Sequence, residues 1–215
     1  MTLYVLRHGE TAWSRQRRHT GRSDIPLTEE GRAQARAIGP FLSALRGSAP
    51  FSLVLSSPLV RAAETAVLAG VTAALDPRLM EPAALDPRLM EPAALDPRLM
   101  EWDYGDYDGV TSDAIRAERP DWDLWRDGCP GGEAPEQVRR RVDALLAERV
   151  IPALGGDRDV LLVAHSHLLR ALAARWLNLP IDGGRLLVLG PAGVGVLGDE
   201  HGGPAVLGWN LRPVP

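Results

Sequence analysis

Apolar residues in this chain come either in unbroken runs of four or five or at spacings of three and four, and the two patterns alternate. The runs fit buried strands; the three-four spacing fits helices with one apolar face. Leu3 to Leu6 is the first strand, and Thr28 can cap a helix through about Leu45, with Glu29 and Glu30 set favourably against the helix dipole. Ser52 to Leu55 reads as a second strand, and Ser57-Pro58 as the start of a helix ending at Gly70, serine as cap and proline at the first helical position. Val71 to Leu75 predicts a third strand. Glu136 to about Leu154 predicts a long helix with Val138, Val142, Leu145 and Leu146 on one face. Asp159 to Ala164 is the clearest strand, backed by a helix from Leu168 to Leu177, and Leu186 to Leu189, Gly193 to Leu197 and Ala205 to Leu211 read as edge strands. Such alternation predicts a three-layer α/β/α sandwich with a mainly parallel sheet and an antiparallel edge strand, in a single domain over residues 1–215.

One segment breaks the rhythm. Residues 73–81, 83–91 and 93–101 are the same nine, Ala-Ala-Leu-Asp-Pro-Arg-Leu-Met-Glu, followed by Pro82, Pro92 and Trp102. Units so short and proline-interrupted cannot stack a core of their own. Two copies, twenty residues, therefore read as an inert insertion. Each copy offers the same strand, so either the first or the third Ala-Ala-Leu can pair in the sheet, the surplus forming a loop or a swapped arm.

Composition narrows the chemistry. With 215 residues, 45% of them apolar, the chain can bury a sizeable core without metals or disulfides. All 24 basic residues are arginine, which excludes a P-loop lysine, a Schiff-base enzyme and a pyridoxal phosphate site. A net charge of -4 argues against a nucleic-acid partner, and the basic cluster Arg15-Arg17-Arg18-Arg22 admits two readings, a solvated loop or a phosphate-facing rim. A lone cysteine, Cys129, permits no internal disulfide and sits in a loop sequence without a basic helix start, so it reads as incidental. The first apolar run is too short for a signal peptide or a membrane span, and the expectation is a cytoplasmic protein with no membrane partner.

Suggestive groups follow each strong strand, where open α/β sheets bind ligands. Arg7-His8-Gly9-Glu10 follows the first; Ser56-Ser57-Pro58 follows the second, with Arg61 in the first turn of the next helix. The third leads to Glu101 in Met-Glu-Trp-Asp-Tyr-Gly, and the strand ending at Ala164 runs into His165-Ser166-His167. Two arginines, two histidines and a carboxyl group meeting at one sheet edge make a phosphoryl-transfer site without metal.

These residues resemble the histidine phosphatase, or phosphoglycerate-mutase-like, superfamily. Arg7 to Glu10 matches its Arg-His-Gly-Glu opening, Ser57 to Arg61 its Ser-Pro-x-x-Arg step, Glu101 to Gly105 its Glu-x-x-Tyr-Gly loop, and Val163-Ala164-His165 its late strand-histidine element. The resemblance implies that His8 attacks phosphorus and forms a phosphohistidine, that Arg7, Arg61 and His165 hold the phosphoryl oxygens, and that Glu101 serves as general acid and base. From the residues alone Glu101 is not separable from Asp103, and Glu81 and Glu91 read as spectators. Thr20-Gly21 resembles the substrate loop and Tyr104 the tyrosine lining the pocket; Ser14 stands where an asparagine is usual, and Ser166 and His167 are further substrate contacts. For Ser166 a helix cap is an equal reading. The implied enzyme needs no cofactor, acts on a small phosphomonoester such as a sugar phosphate, and leaves a homodimer open.

The segment after the Glu101 loop, residues 111–133, lacks the adjacent arginine pair of the mutase branch, which favours a bacterial acid phosphatase or sugar phosphatase over a cofactor-dependent phosphoglycerate mutase. Three rivals differ in class: a serine hydrolase on Ser166, which lacks the glycines of a nucleophile elbow; a metal hydrolase on His8, His165 and His167; and a phospho-ligand binding module without turnover. Trp102, Trp122 and Trp125 read either as pocket walls or as packing residues.

Overall fold

In the computed structural model, which describes residues 1–47, 51–73, 91–155 and 158–213, the first apolar run becomes β1 (Leu3–Arg7), inside a six-stranded sheet. The chain continues through α1 (Ala12–Arg15), α2 (Glu29–Arg46), β2 (Leu53–Ser56), α3 (Val60–Leu68), β3 (Thr72–Ala73), β4 (Glu91–Pro92), β5 (Ala94–Leu95), α4 (Ser112–Glu118) and α5 (Leu124–Asp127). It ends with α6 (Pro135–Leu145), α7 (Ile151–Ala153), β6 (Val160–Ala164), α8 (Ser166–Trp176), β7 (Val194–Glu200) and β8 (Gly203–Leu211). The sheet order is β5-β2-β6-β1-β7-β8, the first four parallel and the last two antiparallel.

Alternation along the central strands builds two cores. Leu3, Val5, Leu55, Val160 and Leu162 pack with Val138, Val142 and Leu145 of α6 and with Leu168, Leu169 and Leu172 of α8. Tyr4, Leu6, Val54, Leu161 and Val163 pack on the other face with Ile38 and Leu42 of α2 and Ala66 of α3. Strands apolar on both faces need helices on both, which is the layered sandwich the sequence pattern calls for. Among the described residues no helix is long and apolar enough to cross a membrane.

Several local expectations change. Thr28 does cap α2, accepting the Gly31 amide at 3.0 Å. Ser57 is not the N-cap: α3 starts at Val60 behind Leu59, and the serine hydroxyl accepts the Leu59 amide at 3.3 Å and pairs with His165 at 2.8 Å. The described part of the third predicted strand, 71–73, does not join the six-stranded sheet. Thr72–Ala73 instead forms a two-residue antiparallel ladder with Glu91–Pro92, and the third Ala-Ala-Leu supplies β5 beside β2. Glu81, with the rest of 74–90, lies outside the described residues. The long helix predicted from Glu136 is interrupted by a π turn at Leu146–Val150. Pro152 has no amide to give the Glu148 carbonyl and its ring would strike it, and the wider turn relieves both. Residues 186–189 form no strand. Leu186 and Val188 are 76% and 67% exposed, and the carbonyls of 188 and 189 accept side-chain donors from Trp209, Arg7 and Ser166 instead of a ladder.

Candidate active site

Parallel pairing of β1 with β6, in the register Arg7 to Ala164, ends the two strands side by side. The His8 amide donates to the Ala164 carbonyl at 2.9 Å, and the His8 and His165 rings lie 5.2 Å apart. After β1 the chain crosses toward α2 on one face, whereas β6 runs into α8 on the other. Crossovers leaving in opposite directions open a crevice at the strand ends. Gly9 has no left-handed φ, so turn freedom is not its role. A Cβ there would stand 2.3 Å from the Gly31 carbonyl oxygen; its small size lets the start of α2 press against this turn.

His8 is buried, and its Nδ1 lies 2.7 Å from the Gly9 carbonyl. A carbonyl only accepts, so Nδ1 carries the proton and Nε2 of the neutral ring has a free lone pair. Burial, then the charges of Arg7 and Arg61, holds the imidazole well below its ordinary pKa, which favours the neutral ring. Arg7 donates from one terminal nitrogen to the Leu189 carbonyl at 2.8 Å, while its buried Nε has no hydrogen-bond partner among the described residues. Burial lowers this guanidinium to about 10. A buried donor left open can take an oxygen acceptor.

Arg61 is different. It is fully buried in α3, and it donates to the carbonyls of Ser23 (2.9 Å), Thr20 (3.0 Å) and Gly21 (3.1 Å) and, through Nε, to His165 Nδ1 (3.2 Å). Because Arg61 only donates, His165 accepts at Nδ1 and directs its Nε2 proton to Ser57 Oγ. His165 too is held well below its usual pKa, first by burial and then by Arg61.

Glu101 reaches this edge from the third repeat copy. Its Oε1 accepts from the amides of Trp102 and Leu168, both at 2.9 Å, and Oε2 from the His167 amide at 3.2 Å. Glu101 therefore caps α8, whose N-cap position, His165, makes no side-chain cap bond; Ser166 is the first helical residue and turns its hydroxyl to the Leu189 carbonyl. The loop is clamped from α6. Arg141 donates to the carbonyls of Arg98, Met100 and Glu101 and forks onto Glu133, which accepts the Asp103 amide. Asp103 pairs with Arg22 at 2.5 Å, and Asp108 accepts from the Gly21 and Ser23 amides. Both neighbouring acids are thereby engaged elsewhere.

A cleft of about 250 Å³ opens here, lined by Arg7, His8, Ser14, Thr20, Glu101, Tyr104, Ser166 and His167 and also by Arg17, Arg18, His19 and Ser112. Arg61, His165 and Gly21 do not line it and form the layer behind. Tyr104 shares a 2.6 Å hydrogen bond with His167 Nδ1. His19, missed in the sequence reading, is bonded to Ser112 at 3.1 Å and pushed down to about 4, chiefly by burial. The only sequence signal for it was its place between the basic cluster and Thr20-Gly21. Trp102, Trp122 and Trp125 belong to the core under α6 and α8, not to the cleft, and burial raises the Cys129 thiol to about 12, which leaves it inert. Among the described residues no three His, Cys, Asp or Glu side chains group as a metal site.

Residues 3–212 match the family model of the histidine phosphatase superfamily (branch 1). The chain belongs to that superfamily. It is 40% identical over 215 residues to an acid phosphatase of Mycobacterium tuberculosis, covering 99% of this chain and 95% of that one. It is 37% identical over 194 residues to the glucosyl-3-phosphoglycerate phosphatase of the same species, covering 83% and 76%. A solved structure of an open reading frame from M. tuberculosis aligns with a TM-score of 0.83 at 38% identity, over 98% and 97% of the two chains. A 2,3-bisphosphoglycerate-dependent phosphoglycerate mutase of Rhizobium etli is also similar, 33% identical over 178 residues, 80% and 78% of the chains. In this member of the superfamily His8 and His165 stand together at the carboxyl edge of the parallel strands.

Proposed function

We propose that this histidine phosphatase superfamily member is a metal-independent phosphomonoester hydrolase that works through a phosphohistidine on His8. The observation that carries the reading is the tautomer lock on His8: Nδ1–H is tied to the Gly9 carbonyl, which leaves Nε2 unprotonated, and Arg7, whose Nε has no hydrogen-bond partner among the described residues, lines the same cleft. In the first half-reaction Nε2 forms a bond to phosphorus as the ester P–O bond breaks, and the departing alkoxide takes a proton from Glu101. In the second, Glu101 takes a proton from water, the water oxygen bonds to phosphorus, the N–P bond breaks and inorganic phosphate leaves. Oε2 of Glu101 accepts one amide bond against two for Oε1, so it is the oxygen with capacity to exchange that proton. Arg7 neutralises charge on the equatorial oxygens, and Arg61 and His165 hold the substrate loop and the floor.

A mutase is the second reading, since mutases are among the similar chains. Its requirement for a basic grip after the Glu101 loop is not supported. Arg116 stacks over Trp122, Arg119 bonds Tyr107 and Arg126 pairs with Asp127, and none of the three lines the cleft. The test is a panel of p-nitrophenyl phosphate, sugar phosphates, sugar bisphosphates and 3-phosphoglycerate on the parent and on His8→Ala. Hydrolysis by the parent, lost by about a thousandfold or more in the variant, is expected. Isomerisation of phosphoglycerates faster than any hydrolysis would establish the mutase, and no catalysis at all would leave the binding module.

A further inference from the structure

The cluster Arg15-Arg17-Arg18-Arg22 divides in two. Arg15 is paired with Glu10 at 2.6 Å and Arg22 with Asp103 at 2.5 Å. Arg17 makes no side-chain hydrogen bond or ion pair among the described residues, and Arg18 makes one, to the Gly109 carbonyl at 3.3 Å. The two without a carboxylate partner are the two that line the cleft. They are not on a free loop. Arg18 forms an antiparallel bridge with Thr111, the His19 amide donates to Val110, and the Gly109 amide donates to His19. Arg17 is held in the left-handed region at φ 57°, a conformation uncommon outside glycine and asparagine.

We propose that Arg17 and Arg18 form a second anion subsite, so that the preferred substrates are phosphomonoesters whose leaving group carries a further carboxylate or phosphate. The proposal rests on the phosphomonoesterase reading for its biological meaning. Its physical basis is separate: the cleft wall carries three arginines against one carboxylate, Glu101. Arg7 and His8 account for the transferred phosphoryl group. Two guanidinium forks then remain at the mouth, and a guanidinium binds carboxylate and phosphate alike through paired N–H donors. Tyr104, Ser112 and His19 line the same cleft, and burial keeps His19 neutral near pH 7. This arrangement suits a short hydroxylated chain with an anion at each end. Mutase-type recognition from the segment after Glu101 is replaced by recognition from the segment after β1.

Binding is measured by calorimetry at low ionic strength on the His8→Ala protein, which cannot turn ligand over. Two matched pairs are compared: glycerol 3-phosphate with 3-phosphoglycerate, and fructose 6-phosphate with fructose 1,6-bisphosphate. The doubly anionic member of at least one pair is expected to bind about tenfold tighter, and the pair that shows it identifies carboxylate or phosphate as the second group. Adding Arg17→Gln and Arg18→Gln, with melting temperature checked against the parent, is expected to shrink that preference to under about twofold, as is high salt. Equal affinity within both pairs overturns the proposal, as does a preference that survives both substitutions or a uniform weakening of all four ligands. Failure of the parent to hydrolyse any ester would sink the phosphatase reading while leaving this comparison of affinities to be decided on its own.

Discussion

Two arginines, Arg61 buried and Arg7 half-buried, meet at the sheet edge, and the chain uses them differently. Arg61 gives four hydrogen bonds, to His165 and to the carbonyls of Thr20, Gly21 and Ser23. Among the described residues Arg7 gives one, to Leu189, and its buried Nε has no partner. A group whose donors are satisfied by protein is a brace; one whose donors are not is a receptor. On the proposed reading the end of β1 receives the anion, and the ends of β2 and β6 hold it in shape.

Substituting both arginines gives the largest expected contrast. Arg7→Met should lower kcat/KM by about a hundredfold or more while leaving the melting temperature nearly unchanged. Arg61→Met strands three loop carbonyls and the His165 nitrogen, and should cost about 3 kcal/mol of unfolding free energy by denaturant titration. Equal loss of stability in the two would erase the distinction.

Next in size is the acid response of the supporting side. His19 is held at about 4 by burial, below its unfolded value of about 6.5. Below that unfolded value the denatured chain binds the proton first, so the stability contributed by keeping His19 neutral is intact above pH 6.5 and is lost as pH falls toward 4. The expected loss is ~3 kcal/mol. Denaturation midpoints between pH 7 and 4 should fall less steeply in His19→Asn, and an identical slope would remove His19 as the cause.

A smaller effect is expected where the acid loop is clamped. Arg141→Lys retains a charge and loses the fork onto Glu133 with its three carbonyl bonds. We expect kcat to fall about tenfold with KM little changed, because Glu101 is less well placed rather than removed. The smallest is removal of residues 73–92. β5 and Glu101 both come from the third copy, and Arg141 fixes the loop from α6, so activity should stay within about twofold and stability within ~1 kcal/mol. A large loss would give the first two copies a role the described contacts do not.

The parts visible in the sequence are those fixed by local pattern. β1, α2 and β6 follow from apolar runs and a capping threonine, and the strand ends with Arg7, His8 and His165 follow from where those runs stop. What sequence could not give depends on partners far along the chain. Ser57 looks like a cap until His165, 108 residues on, takes its hydroxyl. Residues 186–189 look like a strand, but their carbonyls are recruited by Arg7, Ser166 and Trp209. Three identical copies are equally good strands by pattern, and only tertiary packing chooses the third. His19 and Arg141 carry no motif, and their importance lies in the loops they join.

The central claim is that His8 carries the phosphoryl group between half-reactions. Radiolabelled phosphomonoester mixed rapidly with the protein, quenched in alkali and mapped by peptide, tests it most directly. The account predicts an acid-labile label on the peptide containing His8, forming and decaying at rates consistent with turnover and absent in His8→Ala. Label on Ser57 or Ser166, or undiminished turnover by His8→Ala, would contradict it.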